Sequence, residues 1–269
     1  MTNVRKRQKN VVYFLEGGLG NQAAITAHAF ANRHDFGNIR ISTFKYLNNS
    51  EKRHFEIRKY FDFDGTTVRF LKAPLDKYIY MFMKLGAKIF RMETIELQLP
   101  GYTFRLGYYQ DEMINNVQFL KPYLKIPIKK SAQLSIHVRR GDYTLQKHAS
   151  HGLISVDDIK RTAIDIIRNS GLQRINIISE DKNIYENFVG DKDFKDFELC
   201  DYTSNNQFDV FCTMLNSSVI VGSNSTFSLL AGSLSDGDLW IPNIWDKFRS
   251  SSFLGAGANR YTASFEPRV

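Results

Sequence analysis

Cysteine is nearly absent. Cys200 and Cys212 are the two thiols in 269 residues, with no Cys-x-x-Cys pair and no histidine at a zinc-ligand interval. That excludes a disulfide-stapled scaffold and a thiolate zinc site, both of which need more sulfur at set spacings. No run of eighteen apolar residues occurs, so no membrane-spanning helix is expected. The stretch 1–10 is polar and basic where a secretory leader needs an apolar segment, and a cytoplasmic location is expected. Low-complexity tracts and internal repeats are missing too. What is present is ordinary for a folded chain: 43% hydrophobic and 24% charged residues argue against disorder. The length suits one large α/β domain or two smaller ones.

Acidic residues are in deficit, 28 against 36 Lys and Arg, for a formal charge of +8. A positive field favours an anionic partner, whether phosphorylated substrate, acidic membrane surface or nucleic acid. No basic stripe interleaved with aromatics and no nucleic-acid module is visible, so nucleic acid is not expected as a partner. Arg5, Lys6, Arg7 and Lys9 are suited to peripheral contact with an anionic inner-membrane surface, although short basic termini are as a rule simply solvated.

Along the chain, residues 11–15 read as a buried strand ended by Gly17 and Gly18 and followed by a helical pattern over 21–34 and a strand over 39–43. Residues 50–74 give mixed signals, and 78–90 are apolar enough for a buried helix. Pro122, Pro127 and four lysines interrupt the pattern over 120–130, as a linker would, which predicts domains of 1–125 and 126–269. Beyond it the sequence predicts a strand over 133–138 and a helix opened by Ser155 and stopped by Gly171. A strand over 174–178, helices over 183–189 and 206–215, a strand over 219–222 and a helix over 226–234 follow. Strands alternating with helices predict parallel sheets, which bind ligands beyond the carboxyl ends of their strands.

Three segments sit at such ends. Glu16-Gly17-Gly18-Leu19-Gly20-Asn21-Gln22 joins a strand to a helix start, where glycines allow close backbone approach and free N–H groups attract anions; alone it is equally a tight connection. His137-Val138-Arg139-Arg140-Gly141-Asp142-Tyr143 puts two arginines past a buried strand, and the guanidinium fork suits phosphate oxygens; the plainer alternative is a surface pair with Asp142. Ser223-Asn224-Ser225-Thr226-Phe227-Ser228 turns a strand into a helix that Ser225 or Thr226 would cap, with or without a phosphate on its N–H groups. His28, His34, His54, His148 and His151 show no metal-ligand spacing, and no metal cofactor is expected. A departing diphosphate would then be neutralised by arginines and helix N-termini.

These segments, with Gly107-Tyr108-Tyr109-Gln110 and Ile178-Ser179-Glu180-Asp181 between them, resemble in order and spacing the bacterial α-1,2-fucosyltransferase family over roughly residues 11–248. The His-x-Arg-Arg-Gly-Asp element is the most specific of them, and α-1,6- and protein O-fucosyltransferases share it. The resemblance implies a GT-B fold, two Rossmann-like α/β domains facing a cleft, with the acceptor on the first and GDP-fucose mainly on the second. It implies that Arg139 and Arg140 grip the diphosphate, that His137 and Asp209 lie near the guanosine, and that Ser225, Thr226 and Phe227 contact phosphate. Asp142 would orient the arginines or the sugar, and Gly18, Gly20 and Asn21 would approach the donor from the first domain. Where the family has bulky Met-Phe and a Trp pair, this chain has Ala23-Ala24 and Leu229-Leu230, on helices expected near the cleft.

The expected reaction is inverting transfer of L-fucose from GDP-β-L-fucose to a glycan hydroxyl, O2 of a galactoside by the resemblance, with no cofactor. Three general bases are in play. Glu16 ranks first because inversion needs a base opposite the leaving group, Asp142 second, and His151, in the stretch 144–152 beyond the arginine strand, third. A GDP-sugar or glycan binder without turnover is the alternative.

Overall fold

The computed structural model describes residues 10–46, 55–146, 150–203, 205–254 and 257–266. The basic cluster at 5–9, His54 and His148 lie outside the described residues. The chain divides into two compact units, Met1–Lys125 and Ile126–Val269.

In the first unit β1 (Asn10–Phe14) leads through Gly17 and Gly18 into α1 (Leu19–Ala31), and β2 (Asn38–Ser42) follows. A short α2 (Ile57–Tyr60) and β3 (Val68–Leu71) lie in the stretch whose signals are mixed in sequence, and α3 (Asp76–Phe90) follows. A hairpin of β4 (Ile95–Leu99) and β5 (Tyr102–Leu106) and a short α4 (Met113–Asn116) complete it. The sheet order is β3-β2-β1-β5-β4, parallel except for β4. Strand β1 is central and its residues Val11 to Phe14 are buried, as expected of a strand covered on both faces. The helix over 78–90 is there, but it is not a buried one. Only Asp76, Tyr80 and Met83 are buried, because the helix lays one narrow stripe on the sheet, with Ile79 partly buried beside it, and turns most of its other apolar residues outward.

The second unit has six parallel strands. Strand β6 (Ser131–Val138) is followed by α5 (Val156–Ser170), β7 (Arg174–Ser179), α6 (Asn183–Val189), β8 (Glu198–Asp201), α7 (Gln207–Leu215), β9 (Ser217–Gly222), α8 (Thr226–Leu234) and β10 (Asp238–Pro242). A small antiparallel pair, β11 (Ile244–Asp246) and β12 (Arg249–Ser250), precedes β13 (Asn259–Tyr261). The sheet order is β13-β10-β9-β6-β7-β8. Helix α5 begins and ends where its caps require: Ser155 Oγ accepts from the Asp158 N–H, and Gly171 takes the left-handed conformation at its end. Its buried stripe of Val156, Ile159, Ala163, Ile164 and Ile167 packs with Leu134, Ile136, Ile175 and Ile177 of the sheet.

Each sheet has a point at which successive connections leave in opposite directions. In the second unit the chain runs outward from β6 through β7 to β8, then returns to place β9 on the other side of β6. In the first it runs from β1 to β2 and β3, then returns with β5 on the other side of β1. Both units are therefore doubly wound α/β structures, and the crevices at their carboxyl edges open between β6 and β9 and between β1 and β5.

Candidate functional site

The chain leaves β6 and β9 side by side, and the two exits are bonded to one another. The Arg139 N–H donates to Ser223 Oγ at 2.9 Å, and the Ser223 N–H to the His137 carbonyl at 2.9 Å. Arg139 lies half-buried at this edge. Its Nη2 donates to Asp142 Oδ1 at 2.6 Å, its Nη1 to Glu180 Oε1, and its guanidinium carbon sits 5.4 Å from the centre of the Tyr143 ring. The other oxygen of Glu180 accepts the Arg140 N–H at 3.1 Å. Gly141 makes this approach feasible. Its φ is +36°, and a Cβ there would stand 3.2 Å from Glu180 Cδ. Two carboxylates thus fix the plane of the fork, and the pair with Asp142 weighed in sequence exists. Glu180 is the participant to which sequence reasoning assigned no role. Its signal was position, just past the strand next to β6.

Arg140 does something different from its neighbour. Its side chain is almost fully buried, donating from Nη2 to Glu266 Oε1 at 2.6 Å and to the Ile154 carbonyl at 3.2 Å, and from Nη1 to the Arg139 carbonyl at 3.1 Å. Glu266 Oε1 also accepts the Val156 N–H at the start of α5. Arg140 therefore clamps the end of β6 to α5 and to the C-terminal segment. Burial pulls its pKa down and the Glu266 charge opposes that. Both arginines were expected to grip a diphosphate; the Arg139 guanidinium lies at the edge, and that of Arg140 is buried and bonded beneath it.

His137 is buried in β6 with its ring edge-on to Phe227, 5.8 Å between centres, and Phe227 in turn meets Phe211 of α7 at 5.8 Å. Burial, and secondarily the Arg139 charge, lower its pKa to about 3, so the imidazole is neutral at pH 7. Its Nδ1 and the Oδ1 of Asn224 are buried without a partner among the described residues. Such groups normally find one, and both stand at the β6/β9 edge. The Asn224 amide nitrogen donates to the carbonyls of His151 (2.7 Å) and Trp245 (2.8 Å), which pins the segment after 150. The His151 ring stacks on Tyr143, 4.7 Å between centres, so His151, Arg139 and Asp142 share one neighbourhood. Ser225 caps α8, its Oγ accepting from the Phe227 N–H at 3.3 Å, while Thr226 and Phe227 remain partly exposed and no acid occupies the first turn. Asp209 is exposed in the first turn of α7 and bonded to the N-cap Asn206, and Phe211 of the same helix packs on Phe227 of α8.

Glu16, Gly18, Gly20 and Asn21 belong to the first unit's own edge. Gly17, at φ +74°, ends β1 where a Cβ would lie 2.6 Å from Asn21 Nδ2. Gly18 is the N-cap position of α1, Gly20 is buried in its first turn, and Asn21 Oδ1 accepts from Gln110 at 3.1 Å. The segments 17–22 and 107–110 thus meet across the β1/β5 switch. Glu16 is only 2% exposed, and three donors hold it: Lys45 at 2.8 Å, Lys84 at 3.3 Å and the Tyr80 hydroxyl. Burial raises its pKa, but Lys45, by charge and hydrogen bond, and then Tyr80 and Lys84 outweigh it and leave the carboxyl below the ordinary range. A carboxylate so engaged is a weak base, which weighs against ranking it first.

Glu16→Gln should accordingly cost stability rather than turnover. Loss of roughly 2 to 3 kcal/mol is expected, at or below the 3 to 5 kcal/mol of a fully buried ion pair, because both lysines keep some access to water. The sign with pH follows from the lowered pKa. The carboxylate's contribution is complete above its unfolded pKa of about 4.3 and is lost as pH falls through the folded value, so wild type and variant should converge in acid. Denaturant melts from neutral to acid pH check this, and a gap independent of pH would contradict it.

Metal ligation by Asp-x-Asp has to be judged on position, because the chain carries three such triplets: Asp62-Phe63-Asp64, Asp191-Lys192-Asp193 and Asp236-Gly237-Asp238. They precede β3, precede β8 and lead into β10, on the amino side of their strands, away from both switch-point edges. Asp64 pairs with Arg58 and Asp191 with Lys160. Among the described residues no group of three His, Cys, Asp or Glu could hold a metal ion. Ala23, Ala24, Leu229 and Leu230, where the sequence differs from the family it resembles, are all buried core rather than edge residues.

No protein-family model matches the chain, and no curated protein matches it in sequence. Among solved structures it is similar to E. coli heptosyltransferase WaaC with ADP, at 9% identity over 93% of each chain and a TM-score of 0.46. It is also similar to POFUT1 in complex with GDP, at 10% identity over 86% of this chain and 96% of that one, TM-score 0.40. POFUT1 in complex with GDP-fucose is covered to 71%, over 85% of this chain, at 11% identity and a TM-score of 0.33.

Proposed function

We propose that the chain is a GT-B type glycosyltransferase that transfers L-fucose from GDP-β-L-fucose to a glycan hydroxyl, O2 of a galactoside, with inversion and without a metal. The observation that carries this reading is the placement of Arg139 and the Ser225-capped start of α8 on the two sides of the β6/β9 switch point. A helix start with no acid in its first turn and a fork-shaped cation at one crevice suit a diphosphate. The motif resemblance supplies the sugar and the linkage.

As the C1–O bond breaks, negative charge grows on the diphosphate. Arg139 meets it with its fork held in plane by Asp142 and Glu180, and phosphate oxygens compete with Glu180, the more exposed of the two carboxylates. Neutral His137 and Asn224 offer buried polar atoms to the nucleotide. The acceptor hydroxyl has too high a pKa to lose its proton before attack, so a modest base acting late suffices. With Glu16 held by three donors, Asp142 and His151 are the remaining candidates, and Asp142 is itself paired with Arg139 on the leaving-group side.

GDP should bind with undiminished affinity in EDTA, measured by titration calorimetry on the full chain. Binding that vanished on chelation and returned with Mg²⁺ or Mn²⁺ would overturn the arginine-based account of the diphosphate. A binder without turnover is the second reading, and product analysis separates it from the first.

A further inference from the structure

Helix α3 presents to solvent a surface unlike any other described helix of the chain. Leu75, Tyr78, Phe82, Leu85 and Ile89 recur at steps of three and four, which puts them on one stripe, and Met81 borders it. All are exposed; Phe82 is 67% and Leu85 58% accessible. The opposite stripe, Asp76, Tyr80 and Met83, is what the sheet covers, so the outward stripe is surplus to the core. Beside it on the helix surface run Lys77, Lys84 and Lys88, spaced by seven and four, and Arg91 continues the row at the helix end. From Lys77 to Met92 there are four basic residues and no acidic one. The acid at the helix start, Asp76, is buried and paired with Arg40 at 2.6 Å, and Glu16, which Lys84 reaches at 3.3 Å, is buried as well.

From this we infer that the outer face of α3 docks on an anionic lipid surface. A helix lying in the plane of a bilayer needs an apolar stripe to sink among acyl chains and a cationic flank to meet headgroups, and lysine stems reach from one level to the other. Fifteen residues give a contact about 22 Å long. Charge decides between this occupant and a second copy of the chain. Two copies joined through this face would bring their lysine rows together with no acid between Lys77 and Met92 on either side, whereas anionic headgroups complement them. Exposed apolar surface of this extent also calls for a partner in a soluble unit.

Co-sedimentation of the full chain with vesicles of phosphatidylcholine, with and without phosphatidylglycerol, tests this. Binding is expected to the anionic vesicles, weakened by salt, and much less to phosphatidylcholine alone. The double variant Phe82→Glu/Leu85→Glu should lose more than about tenfold in vesicle affinity, and Lys77→Glu/Lys88→Glu should lose it selectively on anionic vesicles. All four positions are exposed, so thermal melts should match wild type; if one pair failed to fold, the other still decides. Undiminished binding by the folded variants would assign it to another surface and overturn the inference. So would absence of wild-type binding, or a dimer by light scattering that the apolar variant dissolves.

Discussion

Arg139→Lys is expected to lower kcat/KM for GDP-fucose, the proposed donor, by about tenfold to a thousandfold, with the thermal midpoint little changed. One charge-assisted hydrogen bond is worth about 1.5 to 3 kcal/mol, and 1.4 kcal/mol is tenfold in rate, so tenfold corresponds to one weak bond lost and a thousandfold to two bonds together worth about 4 kcal/mol. Lysine keeps the charge but not the fork, and the fork is what Asp142 and Glu180 hold in plane. The side chain is partly exposed, so its loss does not open the core. Steady-state kinetics on the folded variant, with the donor varied, measures the effect. Near-normal kcat/KM would remove the diphosphate from this edge.

Arg140→Ala has its largest effect on stability. The substitution leaves the Glu266 carboxylate without its cation and the Ile154 carbonyl without that donor, at the junction of β6, α5 and the C-terminal segment. Removing one partner of a buried pair costs about 3 to 5 kcal/mol. For a unit of this size each kcal/mol lowers the thermal midpoint by about 2 to 4 °C, so a drop on the order of 10 °C is expected. Glu266→Gln should reproduce part of the loss, and the double variant should cost less than the two singles added. An Arg140→Ala protein as stable as wild type but poor in turnover would return Arg140 to the ligand.

The contrast between the two arginines shows where sequence reading stops. That both follow a buried strand was legible, because Leu134, Ile136 and Val138 mark β6 and Gly141 ends the approach. That one turns inward was not, since its partner Glu266 lies 126 residues away. Helix α5 was legible to the residue at its caps, Ser155 and Gly171, because capping is local chemistry. Strands β1, β2, β6, β7 and β9 were legible within two residues for their β-branched runs. The β4/β5 hairpin carries no clear signal in the reading, although Ile95, Leu97 and Leu99 alternate and Pro100-Gly101 marks its turn, and the short strands β8 and β13 carry too few residues for a periodic signal. Glu16 looked like a cleft carboxylate because Lys45, Tyr80 and Lys84, which hold it, arrive from 29, 64 and 68 positions along the chain. Helix α3 was legible as a helix but misread as buried, for apolar content alone does not say which stripe meets the sheet.

Fucosyl transfer itself is the most direct test. The full chain is incubated in EDTA with GDP-fucose and a panel of β-galactosides, GDP release is followed, and the linkage in any product is mapped. The account predicts GDP release that depends on a galactoside, and a product carrying α-linked fucose on O2. GDP held tightly with no product from any acceptor, or fucose transferred only when Mg²⁺ or Mn²⁺ is supplied, would contradict it.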